Sequence, residues 1–114
     1  MSAGLPDAET TIELLPAQVS ELLPAILRGE IELVDCREDE EWRFNRIEGA
    51  RLVPLTRFAE VAVPGKPAII YCHHGMRSLR ATQYWRSRGN HSVWSMAGGI
   101  DRWSAEIDPA VPVY

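Results

Sequence analysis

Cys72 is the side chain in this sequence best placed for covalent chemistry. It closes the apolar run Ala68-Ile69-Ile70-Tyr71 and opens His73-His74-Gly75-Met76-Arg77-Ser78, which feeds a segment of helical character. The thiolate is the nucleophilic form of cysteine, and a helix N-terminus with a neighbouring cation lowers its pKa from about 8.5 by one or several units. A loop leading into a helix aims several backbone N–H groups at one point and so favours an anion there. The first anion it would favour is the sulfur of Cys72 itself. Gly75 opens backbone angles closed to other residues, and Arg77 at the helix start is expected to supply the cation. The local pattern is that of a reactive thiolate in an anion-binding loop.

Such a loop needs a buried strand before it and a helix after it. Ala68 to Tyr71 is the short, β-rich run of a central strand buried on both faces. Ser78 to Arg88 reads as the helix, with Ala81, Tyr84 and Trp85 toward the sheet, Arg80, Gln83, Arg86 and Arg88 mostly outward, and Gly89 closing it. Upstream, Thr11 to Leu15 reads as a short strand closed by Pro16. Val19, Leu22, Leu23, Ile26 and Leu27 then recur at helical spacing. Pro24 inside that stripe predicts a kink or two short pieces, ended by Gly29. Ile31 to Val34 is a brief strand entering Asp35-Cys36-Arg37. Glu38 to Phe44, acidic first and basic later, suits a short helix, anchored by Trp42 and Phe44 with Ile47 beyond. Leu52-Val53 is a minimal strand, Thr56 is positioned to cap a helical turn through Glu60, and Val63 to Pro67 is a loop. Ser92 to Met96 is the last strand. Gly98-Gly99 is a tight turn near the Cys72 loop, and a final helix spans Ile100 to Ala105. Residues 1–10 read as a loose leader and 11–114 as one domain. The alternation predicts an α/β fold with a mainly parallel central sheet flanked by helices, in which ligands sit beyond the carboxyl ends of strands, where Cys72 falls.

Four landmarks in order identify a resemblance. They are Leu33-Val34-Asp35-Cys36-Arg37-Glu38, Ile47-Glu48-Gly49-Ala50, Cys72-His73-His74-Gly75-Met76-Arg77-Ser78 and Gly98-Gly99-Ile100-Asp101-Arg102-Trp103. Together they make residues 11–114 resemble the rhodanese-like family of single-domain sulfurtransferases. The tail, Asp108 to Tyr114, is similar to that of rhodanese domains related to those fused to ubiquitin-like activating enzymes. The resemblance implies that Cys72 takes the outer sulfur of a donor such as thiosulfate, becomes a persulfide, and passes that sulfur to a thiophilic acceptor. It implies a cradle of N–H groups from His73 through Arg77, an orienting role for Arg77 toward an anionic donor, and a hydroxyl donor in Ser78. Asp35 and Arg37 match a motif near the site and are expected to fix the loop. No dissociable cofactor is implied. The partners implied are a small sulfur donor and acceptor, with a sulfur-delivering or sulfur-accepting protein as the carrier alternative and Arg77, Arg80, Arg86 and Arg88 as its docking face. A non-catalytic interaction module and a redox sensor are the readings from other classes.

Spacing separates this chemistry from its neighbours. Cys72 to Arg77 is Cys-x4-Arg, whereas phosphatases on the related scaffold need one more residue to wrap a phosphoryl group. Arg46 stands where many members have His, Asn90 where an aromatic or aliphatic residue is common, and Cys36 where an aliphatic residue is usual. Cys36 reads as a small core residue, with a role as a resolving thiol that captures a Cys72 sulfenate or persulfide if the fold brings the two together. His73 and His74, adjacent in a tight loop, are expected to point apart and to line the rim rather than bind metal, with proton transfer open to either. His91 reads as a solvated loop residue, the four tryptophans as core and groove wall, and Glu38 to Glu41 as a solvated helix start.

Composition bounds the rest. The chain has 114 residues, 46% hydrophobic and 25% charged, with 12 basic and 16 acidic side chains and a net charge of −4. That is ordinary globular usage for one small domain. The acidic balance argues against general nucleic-acid binding, and no apolar run approaches the roughly 18 residues of a membrane span. The N-terminus lacks a basic region followed by an apolar stretch, so a cytoplasmic protein with reduced thiols is expected.

Overall fold

Ala68–Tyr71 is buried at every position and forms the middle strand of a five-stranded sheet in the computed structural model, which describes residues 4–114. In chain order the elements are β1 (Glu13–Leu14), α1 (Pro16–Glu21), α2 (Leu23–Leu27), β2 (Glu32–Asp35), α3 (Asp39–Phe44), β3 (Ala50–Leu52), a 3-10 turn (Leu55–Glu60), β4 (Ala68–Tyr71), α4 (Met76–Ser87), β5 (Val93–Met96) and α5 (Gly99–Glu106). The strand order is β1-β5-β4-β2-β3, and every pairing is parallel. The expected α/β architecture is therefore present, with a sheet parallel throughout. Of the leader expected over 1–10, residues 1–3 lie outside the described residues. No described helix is long and apolar enough to cross a membrane.

Strand alternation divides the core in two. Leu33, Ile69 and Tyr71 face one side, against Val19, Leu22 and Ile26 of the first helices and Ile100 and Trp103 of α5. Val34, Cys36, Ile70 and Cys72 face the other, against Ala81 and Trp85 of α4 and Phe58 of the 3-10 turn. Trp85 is fully buried, its ring 4.5 Å from that of Phe58. Burial on both faces explains why β4 is an unbroken apolar run rather than one of alternating polarity.

Several local expectations need correction. Pro16 opens α1 rather than closing β1, because the first helical position needs no N–H donor. Pro24 does split the stripe into α1 and α2 as expected, but Leu27 faces solvent. Trp42 and Phe44 do not anchor α3, which buries no residue. The helix is held instead by its charges, and Arg46 lies over the Trp42 ring at 4.2 Å. Thr56 is not a cap, since Pro54 precedes the turn and the Thr56 hydroxyl donates to Glu38. Arg86 does not point outward. Its guanidinium donates to the carbonyls of Val93, Ala8 and Thr11 at 2.8, 2.8 and 2.9 Å, tying α4 to β5 and to the N-terminal segment.

Arg86→Ala leaves those carbonyls without their charged donor and is expected to cost about 2 kcal/mol, in line with hydrogen bonds to charged groups. Exposed Arg80→Ala should stay within about 0.5 kcal/mol. Denaturant midpoints of the two variants beside the parent chain check the difference, and equal midpoints would contradict it.

Candidate active site

Cys72 lies one residue past β4, and the chain turns through His73, His74 and Gly75 into α4. Gly75 has φ +104°, and a Cβ there would stand 3.2 Å from the Gly98 nitrogen, so both backbone angle and close approach call for glycine. The Cys72 residue is 1% exposed. Its sulfur accepts the Gly75 amide at 3.1 Å and the Ser78 amide at 3.3 Å. The Ser78 hydroxyl is 3.5 Å from the sulfur and 2.7 Å from the Ser95 hydroxyl. Each hydroxyl has one proton to give. With Ser95 donating to Ser78, the one Ser78 proton is shared between the Gly75 carbonyl, 3.2 Å away, and a thiolate. Of the cradle expected from His73 through Arg77, the Gly75 amide reaches the sulfur, joined by Ser78 one residue further on.

The loop is braced from outside by α5. The Ile100 amide donates to the Cys72 carbonyl at 2.8 Å and the Asp101 amide to the His73 carbonyl at 3.2 Å. Gly99 has φ +63°, and a Cβ there would collide with those same two carbonyl oxygens. The expected tight turn at Gly98-Gly99 thus has a specific task. Holding the loop carbonyls outward leaves its amides facing the sulfur.

Cys36 is the neighbour that decides the electrostatics. In the β2–β4 register Asp35 pairs with Tyr71, and the Cys36 amide donates to the Tyr71 carbonyl at 3.0 Å. Cys36 and Cys72 therefore sit side by side on one sheet face, in the same buried cluster. The Cys36 thiol is the largest influence lowering the Cys72 pKa. The Ser78 hydroxyl and the Ser78 and Gly75 amides add to it, and together they overcome burial to bring Cys72 down to about 5. Donation to Cys72, together with burial, pushes Cys36 far above an ordinary thiol. The pair favours ionisation of Cys72 and opposes that of Cys36. The adjacency that a resolving thiol requires is present.

Arg77 is placed differently from expectation. Its guanidinium closes on Glu41 with bonds of 2.7 and 2.9 Å, and that partner leads the rise in its own pKa, with attraction to Cys72 a smaller cause. Arg77 in turn holds Glu41 down to about 2. The activating donors are the amides, Ser78 and Cys36, not the arginine. With Arg77 on Glu41 and Arg86 on backbone carbonyls, the expected basic docking face is not assembled; Arg80 and Arg88 remain exposed.

Asp35 and Arg37 are both fully buried and form an ion pair at 2.7 Å. Arg37 also donates to the Asn45 side chain, the Asn45 carbonyl and the Tyr114 hydroxyl at 2.7, 2.8 and 2.8 Å. The pair fixes the turn after α3 and the tail rather than touching the Cys72 loop. Asn45 completes this by donating to the Pro112 carbonyl. The Tyr114 hydroxyl donates to Glu41 at 2.6 Å, and its ring stacks on His73 at 3.9 Å.

His73 and His74 do not point apart. Their rings stack at 3.8 Å, and His74 is 3.7 Å from Asp101. Donor atoms of His73, His74 and Asp101 lie within 4.8 Å of one another, so the reason for setting metal aside does not hold. Met76 is 69% exposed at the rim. Glu41, Asn45, Ser95, Asp101 and Tyr114 are the site residues sequence reasoning missed. The tail similarity was the one signal that could have pointed to Tyr114.

A sequence profile described as "Rhodanese-like domain" matches residues 18–106. The thiosulfate sulfurtransferase GlpE of Coxiella burnetii is 28% identical, over 70% of this chain and 78% of its own. The Rhodanese-like/PpiC domain-containing protein 12, chloroplastic, of Arabidopsis thaliana is 29% identical over 83% of this chain, which spans 34% of that protein's length. Among solved structures, the human single-domain sulfurtransferase TSTD1 superposes with a TM-score of 0.74 at 22% identity, covering 84% of this chain and 97% of its own.

Thiolate ultraviolet absorbance, taken as the parent chain minus Cys72→Ser, should titrate near pH 5. Ser78→Ala should move the midpoint up, and by more than Arg77→Ala does. The reverse order would restore the arginine as activator. The depressed pKa also makes stability pH-dependent. The thiolate's contribution is full above the unfolded-state value of about 8.5 and is lost as pH falls toward 5. Cys72→Ser should remove that part of the stability rise.

Proposed function

The chain belongs to the rhodanese-like domain family, and on that premise we propose that it moves sulfane sulfur from a donor such as thiosulfate to a thiophilic acceptor through a Cys72 persulfide. The observation that carries the reading is the sulfur at the end of β4 with two backbone amides turned toward it and a hydroxyl 3.5 Å away. In the first displacement the Cys72 thiolate attacks the outer sulfur of thiosulfate, and sulfite leaves with the electron pair of the broken S–S bond. In the second, the acceptor attacks the outer sulfur of Cys72–S–S⁻ and the Cys72 thiolate departs. The low pKa serves this second step, since a more acidic thiol leaves faster. Two displacements through one covalent intermediate predict ping-pong kinetics. The Cys-x4-Arg loop suits one sulfur atom rather than a phosphoryl group.

A protein as donor or acceptor is the second reading, favoured by the apolar rim. Phe44, Met76, Val113 and Tyr114 are all exposed large apolar side chains, and Phe44 packs edge-on against Tyr114 beside the loop. A small anion has no use for such a rim. A protein partner docking over the thiol would cover it.

Intact-mass spectrometry after brief thiosulfate exposure is expected to show a gain of one sulfur atom that cyanide removes, and no gain in Cys72→Ser. A gain that survives the Cys72→Ser substitution would move the nucleophile elsewhere. No gain from thiosulfate, mercaptopyruvate or a cysteine desulfurase would end the enzyme reading.

A further inference from the structure

Cys36 has a place in the site that sulfur transfer to an external acceptor does not require. It is fully buried, so no donor in solution reaches it. Among the described residues its reactive neighbour is Cys72. The β2–β4 pairing runs Val34 to Ile70 and Asp35 to Tyr71, and the Cys36 amide continues it by donating to the Tyr71 carbonyl. Val34, Cys36, Ile70 and Cys72 all belong to the cluster on the α4 side of the sheet. The two cysteines are thus in-register lateral neighbours on one face. Adjacent strands lie about 4.7–4.9 Å apart, inside the Cα separation of about 4.4–6.8 Å at which cysteines can be bridged. Cross-strand bonding therefore needs side-chain rotation rather than movement of either strand.

Building on the Cys72 persulfide, we propose that Cys36 is a resolving thiol that discharges it internally, releasing the outer sulfur as hydrosulfide and closing a Cys36–Cys72 disulfide. The Cys36 sulfur attacks the inner sulfur, Cys72 Sγ. The bond from Cys72 Sγ to the outer sulfur breaks, and its electron pair leaves with the outer sulfur. The Cys36 proton passes to that departing sulfur, which goes out as HS⁻. Cys36 is oxidised from thiol to disulfide and the outer sulfur is reduced to sulfide, so one negative charge stands on each side of the step. A dithiol reductant then restores both thiols by exchange. Burial keeps Cys36 from competing with Cys72 for the donor, and Cys36 attacks as a thiolate only as its proton passes to the outer sulfur. The external acceptor and Cys36 attack different atoms of the same persulfide. Internal discharge prevails when no acceptor occupies the mouth.

The experiment loads the reduced parent chain, Cys36→Ser and Cys36→Val with thiosulfate, removes the excess, and follows intact mass without reductant alongside released sulfide. The parent chain should lose the added sulfur as one sulfide per chain and end two hydrogens lighter than its reduced form. Digestion should then yield a peptide pair linked between Cys36 and Cys72. Loading of the variants is expected to be slower, since Cys36 helps activate Cys72, but the sulfur they do gain should stay. Equal retention by parent and variants, with no sulfide, overturns the discharge while leaving the persulfide intact. Sulfide released with a Cys72–Cys72 dimer in parent and variants alike overturns it too. If no chain gains sulfur, the persulfide and its discharge fail together. The linked peptide is read on the parent chain, so a variant that misfolds does not decide the matter.

Discussion

A negative charge buried at the end of a central strand is the constraint on which this structure turns. An ionised sulfur removed from water is costly unless its surroundings replace the lost hydration. Here the replacement comes chiefly from neutral groups. The Gly75 and Ser78 amides and the Ser78 hydroxyl surround the sulfur, and the Cys36 thiol is the largest influence on it. Backbone amides can serve only if the loop carbonyls have partners on the other side, and the first amides of α5 are those partners. Gly75 and Gly99 follow from the same requirement, because any side chain would hold the loop away from the backbone that orients it.

The second layer is an ion pair with no solvent exposure. Arg37 directs its donors at Asp35, Asn45 and Tyr114. A buried pair is tolerable only when such donors are satisfied. A lysine, with a point charge in place of a planar fork, would satisfy fewer of these partners. The consequence is long-range. Residues 35, 45 and 114 are far apart in sequence, and the same tyrosine that accepts from Arg37 donates to Glu41, which holds Arg77. The charges around the mouth therefore form one chain of contacts from the interior to the rim. It occupies the guanidinium that would otherwise lie nearest the thiolate.

The parts legible in the sequence were those governed by local rules. Four consecutive apolar residues before Cys72 mark the central strand, Gly75 marks the turn, and Pro24 marks the break between α1 and α2. What sequence could not convey was pairing. Proximity in sequence assigns Arg77 to the thiolate and helical periodicity assigns Arg86 to solvent, but neither names partners, and the partners, Glu41 and three carbonyls, come from distant segments. Trp42 and Phe44 misled for a related reason, since apolar character on a six-residue helix does not guarantee a neighbour to bury it. For Cys36 the sequence offers a small core residue or a resolving thiol and cannot choose, because β2 and β4 are separated by a long stretch of chain; strand order is what sets it beside Cys72. Ser95 stayed invisible on the same grounds, reaching Ser78 from the strand beyond.

The bracing of the Cys72 loop by Gly99, Ile100 and Asp101 has a bearing on how the protein is made. During synthesis the ribosome delivers Cys72 well before α5. Until α5 docks, the loop carbonyls lack the amides that hold them outward, and the loop is free to turn its own amides away from the sulfur. An unbraced thiol behaves like that of any unfolded chain, mostly protonated near neutral pH and slow to react. With α5 in place, the loop carbonyls are held by the Ile100 and Asp101 amides and the Gly75 and Ser78 amides face the sulfur. Reactivity in this domain is thus a property acquired at the close of folding, and a nascent or misfolded chain carries an unarmed cysteine.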